Sequence, residues 1–279
     1  MFKITEKRFL CENVVYMSIT APFVAKKVAA GQFIILRIDE YGERIPLTVA
    51  DFDKEKGTVS IIFQTVGNTT KRLSKLNVGD SIADFVGPLG KPTEFGAPKR
   101  AIVVGGGVGC AIAHPSAKAL YNMGVKTDVI AGFRNKDMVI LEKEFEAVCD
   151  NLYITTDDGS YKRKGLVTEV LRELIEKEPC DLVIAIGPIP MMKFVSALTK
   201  EYGIKTVVSM NPVMIDGTGM CGGCRLTVGG KTKFACVDGP EFDGHLVDFD
   251  EAMKRGAMYK DFERHAREEN CNLLRAEVK

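Results

Sequence analysis

Ala101-Ile-Val-Val-Gly-Gly-Gly-Val-Gly109 is the stretch on which the fold turns. Four apolar residues make a short buried strand, the glycines a turn, and the residues after them a helix to about Met123. A strand running through a glycine turn into a helix aims backbone N–H groups and the positive helix end at a pyrophosphate. The run departs from G-x-G-x-x-G, and no acid closes the second strand: Asp128 lies inside it and Gly132-Phe133-Arg134 ends it. The ribose rule of the ordinary dinucleotide fold therefore does not apply, and a tight turn without a ligand remains the alternative. Candidate contacts are Gly106, Gly107, Val108 and Gly109. His114, just after the turn, reads as a packing residue.

Downstream, strand and helix alternate. Strands are expected at 127–131, 152–155, 182–186 and 206–210, and helices at 141–148, 166–175 and 191–202. The stripe Leu166, Val167, Val170, Leu171, Leu174 and Ile175 is the clearest helical face. Such alternation implies βαβ units and a parallel sheet. Gly187-Pro188 and Asp157, within Thr156-Asp157-Asp158-Gly159, end two more strands at the same sheet edge.

Upstream, the first 97 residues read as β. Runs at 14–20, 33–38, 47–52, 58–64 and 81–86 are β-branched or aromatic, with turn signals between them. Five or six such strands suggest a small antiparallel barrel. A short helix fits 70–76, and 87–98, rich in Gly and Pro, reads as a linker. Within the barrel, Arg44-Ile-Pro46-Leu47-Thr48 and Gly67-Asn-Thr69-Thr70 stand out. Hydroxyls and N–H groups at a helix start suit a phosphate; alone, the two segments read as a strand entry and a capped helix.

The chain has 279 residues, 38 basic and 37 acidic, for a net charge of +1. That balance argues against a nucleic-acid partner. With three histidines, a machine built on several of them is not expected. No run of about 18 apolar residues occurs, and Lys3, Glu6, Lys7 and Arg8 leave no room for a signal sequence. A cytoplasmic protein without membrane contact is expected. Its eight cysteines then need a reason other than disulfides. Cys11, Cys110, Cys149, Cys180 and Cys271 are scattered, as buried thiols are.

The other three are clustered: Asp216-x4-Cys221-x2-Cys224, then Cys236. A plant-type [2Fe-2S] loop has the form C-x4-C-x2-C…C, and this loop matches it with Asp216 at the first position. The glycines around it let the chain wrap a cluster and aim N–H groups at sulfur. Zinc on the cysteines, a redox C-x-x-C and unligated thiols are the alternatives. Asp216 is otherwise a turn residue in Asp-Gly. The remainder, about 247–275, reads as one or two helices that either cover the chain's own core or dock a larger subunit.

Barrel, nucleotide domain and cysteine loop, in that order, resemble the ferredoxin–NADP reductase superfamily. Within it the chain is similar to electron-transfer subunits of dihydroorotate dehydrogenase. It is closer to small (alpha) subunits of the NADH-dependent reduced ferredoxin:NADP oxidoreductase (sulfide dehydrogenase-like) type, which share Asp at the first loop position. The resemblance spans nearly the whole chain. It implies an FAD-binding barrel (1–97), an NAD(H)-binding α/β domain (98–210) and an iron–sulfur loop with a helical segment (211–279). Arg44, Pro46, Leu47 and Thr48 would line the flavin, with Thr48 as the candidate catalytic residue near its N5. Phe63, Gln64, Gly67, Thr69 and Thr70 would hold the rest of FAD. Asp216, Cys221, Cys224 and Cys236 would hold one [2Fe-2S] cluster. Hydride would pass between NAD(H) and FAD, and single electrons through the cluster. A larger iron–sulfur flavoprotein subunit would carry the NADP and ferredoxin side of an electron-bifurcating enzyme. The rival readings are the dihydroorotate dehydrogenase subunit and a non-redox zinc-bearing protein.

Overall fold

The computed structural model describes residues 2–265. Cys271 and the end of the expected C-terminal helices lie outside the described residues.

Seven strands build the N-terminal unit: β1 (Phe2–Cys11), β2 (Val14–Thr20), β3 (Phe33–Arg37), β4 (Ile45–Asp53), β5 (Thr58–Gln64), β6 (Ser81–Ile82) and β7 (Asp84–Leu89). They pair in the order β6-β1-β2-β5-β4-β3-β7, antiparallel throughout. The two end strands follow one another in the chain, so the sheet curls into a near-closed barrel. Ile4, Val15, Met17, Ile34, Leu36, Ile61 and Phe63 fill it. Two short helices, α1 (Pro22–Ala25) and α2 (Asn68–Leu73), sit on its connections.

Three sequence expectations change here. β1 was not expected: its charged residues mask the alternation, and Ile4 is its one fully buried side chain. The expected linker at 87–98 begins later, because β7 runs through Gly87-Pro88 to Leu89. Pro88 is tolerated because β7 is an edge strand, where a missing N–H costs no ladder bond. The helix expected at 70–76 starts at Asn68, since the Gly67 N–H donates to Thr70 Oγ1 at 3.0 Å and sets its first turn.

The second unit alternates as expected: β8 (Arg100–Gly106), α3 (Gly109–Asn122), β9 (Lys126–Phe133), α4 (Glu142–Glu146), β10 (Asn151–Thr156), β11 (Arg163–Lys164), α5 (Val167–Lys177), β12 (Leu182–Ile186), α6 (Ile189–Glu201) and β13 (Lys205–Ser209). These strands lie parallel in the order β11-β10-β9-β8-β12-β13. Residues of α3 and α4 pack on one face with Val14, Ala50 and Ile62 of the barrel. Residues of α5 and α6 pack on the other.

Beyond Met210 the chain keeps more structure than its glycines suggest. β14 (Arg225–Val228) and β15 (Lys231–Phe234) form a hairpin, α7 (Ala235–Asp238) carries Cys236, and β16 (Glu241–Asp243) pairs antiparallel with β13. α8 (Phe249–Ala257) follows. Val247 and Phe249 are buried in the core shared with β13 and α6, whereas Met258 and Phe262 are exposed. The start of the C-terminal segment thus covers the chain's own core. Among the described residues, no helix is long and apolar enough to cross a membrane.

At the amino ends of the strands a buried ion pair ties the sheet together. Arg100 Nε and Nη2 donate to Asp128 Oδ2 at 2.9 and 2.6 Å, and Nη1 donates to the Leu174 and Glu178 carbonyls at 3.2 and 2.5 Å. Asn151 Nδ2 donates to the other Asp128 oxygen at 2.8 Å. Asp128 therefore works as a structural anion, at the end of the sheet away from the glycine turn. Asp128→Ala strands a buried guanidinium, and the expected loss is about 3–5 kcal/mol. Urea unfolding at neutral pH measures it.

Candidate functional site: a cleft at the switch point of the sheet and a cysteine module beside it

The parallel sheet reverses its winding between β8 and β12. Crevices at the carboxyl ends of strands beside such a switch are where ligands bind in open α/β sheets. Here a cleft of about 660 Å³ opens between the sheet and the barrel. Its floor is backbone. A Cβ on Gly109 would lie 2.5 Å from the Ile186 carbonyl oxygen, and one on Gly187 3.1 Å from the Gly106 Cα. Gly107 has φ +56°, which a side chain disfavours. The glycines let two loops and the start of α3 approach more closely than any side chain permits. Val108 and Gly109 stand at the helix start, where N–H groups lack intrahelical partners.

Ten expected site residues line this cleft: Pro46, Thr48, Gln64, Gly106, Gly107, Val108, Gly109, Asp157, Gly187 and Pro188. The others lie elsewhere. Phe63 is buried in the barrel core, and Leu47 packs against that core. Strand alternation turns both inward, so only their backbone can face a ligand. Gly67, Thr69 and Thr70 sit at the start of α2, outside the cleft lining. The Thr70 hydroxyl is engaged with the Gly67 backbone, and the Thr69 hydroxyl donates to Glu43 Oε2. A phosphate at this position would have to displace the Glu43 carboxylate. Arg44 is exposed in the loop just before β4, two residues before Pro46. His114 is buried edge-on to Phe145 with its ring centroid 5.5 Å away, and burial first of all lowers its pKa. It is a packing residue.

The sequence reading missed one wall. Ser209 at the end of β13, and Met210, Asn211, Pro212 and Met214 after it, also line the cleft. The signal was available: β13 ends at the same sheet edge as β8 and β12. Arg134 and Phe133 at the end of β9 complete the rim.

The cysteine module shares a core with both neighbours. Cys224, Cys236 and Leu226 pack with Phe33 and Ile35 of the barrel and Val208 of the sheet. Its sulfurs fall into two groups. Cys224 Sγ and Cys236 Sγ are 3.2 Å apart, and the Cys236 N–H approaches Cys224 Sγ at 3.4 Å. Cys221 is exposed, and the Gly223 N–H at 3.4 Å leads the donors that lower its pKa; the Asp216 and Ile215 N–H groups follow. Cys236 is pushed up to about 12 by burial and then by the neighbouring Cys224 thiol. Two buried thiols in contact are costly to ionise unless a cation takes their charge.

Asp216 forms a turn. Its Oδ2 accepts from the Thr218 N–H at 2.9 Å, the Thr218 hydroxyl at 2.5 Å and the Met220 N–H at 3.3 Å. The Thr218 donors first, then the Met220 N–H and last the distant charge of Arg44, hold its carboxyl below the usual aspartate range. Cys224 beside Cys236 makes one pair of donors, and Cys221, which accepts from the Asp216 backbone N–H, lies next to Asp216, the other candidate in the loop. Among the described residues, no three His, Cys, Asp or Glu side chains converge as a single metal ion would need. The donor set and the N–H groups aimed at sulfur fit a cluster.

Residues 211–248 match a model of the iron–sulfur cluster binding domain of dihydroorotate dehydrogenase B. The chain is 46% identical over 262 residues to a dihydroorotate dehydrogenase B (NAD(+)) electron transfer subunit homolog of Thermotoga maritima, covering 94% of this chain and 93% of the relative. It is 32% identical to the dihydroorotate dehydrogenase B electron transfer subunit of Fusobacterium nucleatum, covering 84% of this chain and 92% of the relative. A chain of the NADH-dependent reduced ferredoxin-NADP oxidoreductase structure, solved to study flavin-based electron bifurcation, superposes with a TM-score of 0.91 and 44% identity. That match covers 97% of this chain and 98% of the other.

One buried acid lies behind the cleft wall. Glu241, on β16 next to the lining residue Pro240, accepts from the Thr93 hydroxyl at 3.0 Å through Oε1; Oε2 is buried without a partner. Burial pushes its carboxyl up to about 7. The folded chain therefore keeps a proton that the unfolded chain, with an ordinary glutamate, has already lost. Stability is expected to fall as pH rises from the ordinary glutamate range to about 7, by on the order of 2–3 kcal/mol, and then to level off. Urea unfolding across that window should show the fall in the parent chain and a flatter profile in Glu241→Gln.

Proposed function

Because the chain belongs to the family of dihydroorotate dehydrogenase B electron-transfer subunits and their homologues, we propose that it is the flavin and iron–sulfur subunit of an NADH-dependent, electron-bifurcating ferredoxin:NADP oxidoreductase. It binds FAD, NAD(H) and one [2Fe-2S] cluster. The observation that carries this reading is that the glycine floor, the outer face of β4 and the cysteine module adjoin one cleft through one shared core. When bound there, a flavin supplies the exchange between a two-electron nicotinamide donor and a one-electron cluster.

The chain's own part is to bind and orient. The glycine floor admits a dinucleotide's pyrophosphate against Gly106–Gly109 and Gly187. Pro46 and Thr48 present the flavin ring with an apolar edge and one hydroxyl, and Thr48 is assigned a hydrogen bond near N5. Arg44 offers a forked cation to the flavin. Asp216, Cys221, Cys224 and Cys236 hold the cluster, with Asp216 as a hard donor carrying the same charge as a thiolate. No side-chain acid or base is required of the chain.

As a member of a family of electron-transfer subunits, it works with a partner. The partner we propose is a larger iron–sulfur flavoprotein on the NADP and ferredoxin side. The similarity of 44% over 97% of the chain to the ferredoxin-NADP oxidoreductase structure, with Asp216 at the first loop position, favours it over a dihydroorotate-oxidising partner. Co-purification from native cells separates the two.

NADH added to the anaerobic, FAD-loaded chain should bleach the flavin, with a higher kcat/KM than NADPH. Equal or better kcat/KM with NADPH overturns the NADH assignment, and no bleaching with either overturns the reading. Asp216→Cys should keep a [2Fe-2S] cluster with an altered spectrum and potential. Asp216→Ala should lose cluster occupancy by iron analysis; unchanged content and spectrum would remove Asp216 from the ligand set.

A further inference from the structure

Two arginines close on the turn between Cys221 and Cys224. Arg255 Nη2 donates to the Gly223 carbonyl at 3.1 Å, and Arg225 Nη1 reaches the Gly222 carbonyl at 3.4 Å. Gly223 is also the residue whose N–H lies 3.4 Å from Cys221 Sγ. The turn therefore shows its carbonyls to cations and an N–H to sulfur. Arg225 is exposed and next to Cys224 in the chain, whereas Arg255 is half-buried and comes from α8, thirty-two residues beyond Gly223. Its arrival there is built. The Asp248 side chain caps α8 by accepting from the Glu251 N–H at 2.9 Å, and Phe249 is buried in the core that contains Cys224 and Cys236. Glu251 and Arg255, four residues apart, share one face of the helix. Glu251 Oε2 accepts from the Thr227 N–H at 3.0 Å, and the Asp248 N–H donates to the Thr227 carbonyl at 2.9 Å. The first turn of α8 is thus fastened to β14, and the last turn carries Arg255 to the cysteine loop.

We propose that Arg255 is a positioning residue for the cluster: it holds the Gly222–Gly223 turn and raises the cluster's reduction potential. The proposal rests on the cluster reading above. It goes beyond that reading by giving a role at the iron to α8, which lies outside the matched segment 211–248. Reduction adds one negative charge to a cluster, so a nearby fixed cation stabilises the reduced form more than the oxidised one. Hydrogen bonds to the sulfurs set the potential as well, and the Arg255 bond fixes the residue that offers one to Cys221. Arginine stays charged at every working pH and grips a carbonyl through a rigid, planar group. Half burial keeps the interaction from being fully screened by salt. Arg255 acts on the iron through the loop that carries its ligands.

The test is an EPR-monitored redox titration of the full FAD-loaded chain with its cluster, with iron content measured on each sample. Parent, Arg255→Gln, Arg255→Met, Arg255→Lys and Lys254→Gln are compared; Lys254 is the exposed neighbour of Arg255 on α8. The midpoint reads only chains that hold a cluster, so partial loading does not mask it. The expected result is a lower midpoint in both neutral Arg255 variants and a midpoint near the parent's in Arg255→Lys and Lys254→Gln. A parental midpoint in either neutral Arg255 variant overturns the proposal. So does an equal fall in Lys254→Gln, because surface charge alone would then account for it. If neither neutral variant loads a cluster, Arg255→Lys decides: a parental midpoint supports the proposal, and a lower midpoint or an empty site overturns it. A parent chain that assembles no cluster is a different failure, that of the functional reading itself.

Discussion

Everything in this molecule is arranged around a place where two backbones nearly touch. At the switch between β8 and β12, Gly109 leaves no room for a Cβ against the Ile186 carbonyl, and Gly106 and Gly187 meet without side chains. This contact holds α3 at the end of its strand and keeps the crevice above it open. The crevice has a second wall only because the barrel is pressed onto the sheet through Val14, Ala50 and Ile62. The Lys118–Asp51 ion pair at 2.9 Å lies at the same junction; half-exposed as it is, it adds little beside the apolar contact.

The cysteine module follows from the same packing. It has no core of its own: Cys224, Leu226 and Cys236 are buried against Phe33, Ile35 and Val208. Its strand β16 completes the sheet as an antiparallel edge beside β13. A cluster site tied in this way cannot move independently of the cleft. Fixed distance and low mobility are what one-electron transfer between neighbouring centres asks of a protein, and here a shared apolar core supplies them.

How much of this was legible in the sequence depended on range. The glycine turn and the Asp216/Cys221/Cys224/Cys236 spacing are local, and local chemistry writes itself into adjacent residues. The parallel alternation from β8 to β13 is carried by continuous apolar runs, as strands buried on both faces require. β1 was hidden because one buried residue, Ile4, stands among charged ones. The hairpin of β14 and β15 was hidden because its turn glycines, Gly229 and Gly230, run on from the glycines of the cysteine loop. The wall from Ser209 to Met214 is part of the cleft only through tertiary packing, and no local pattern marks it. Phe63 and Leu47 are the reverse case: alternation along β5 and β4 already assigns them to the barrel interior, and a motif read as a block obscured that.

The central claim is that one chain holds a flavin and an iron–sulfur cluster against a shared core. Iron, acid-labile sulfide, zinc and FAD, quantified in the anaerobically purified chain alongside EPR of the dithionite-reduced sample, test it most directly. The account predicts iron and sulfide in equal amounts, FAD in the same preparation, and the signal of a reduced [2Fe-2S] cluster. Zinc without sulfide, and protein free of flavin after reconstitution, would contradict it.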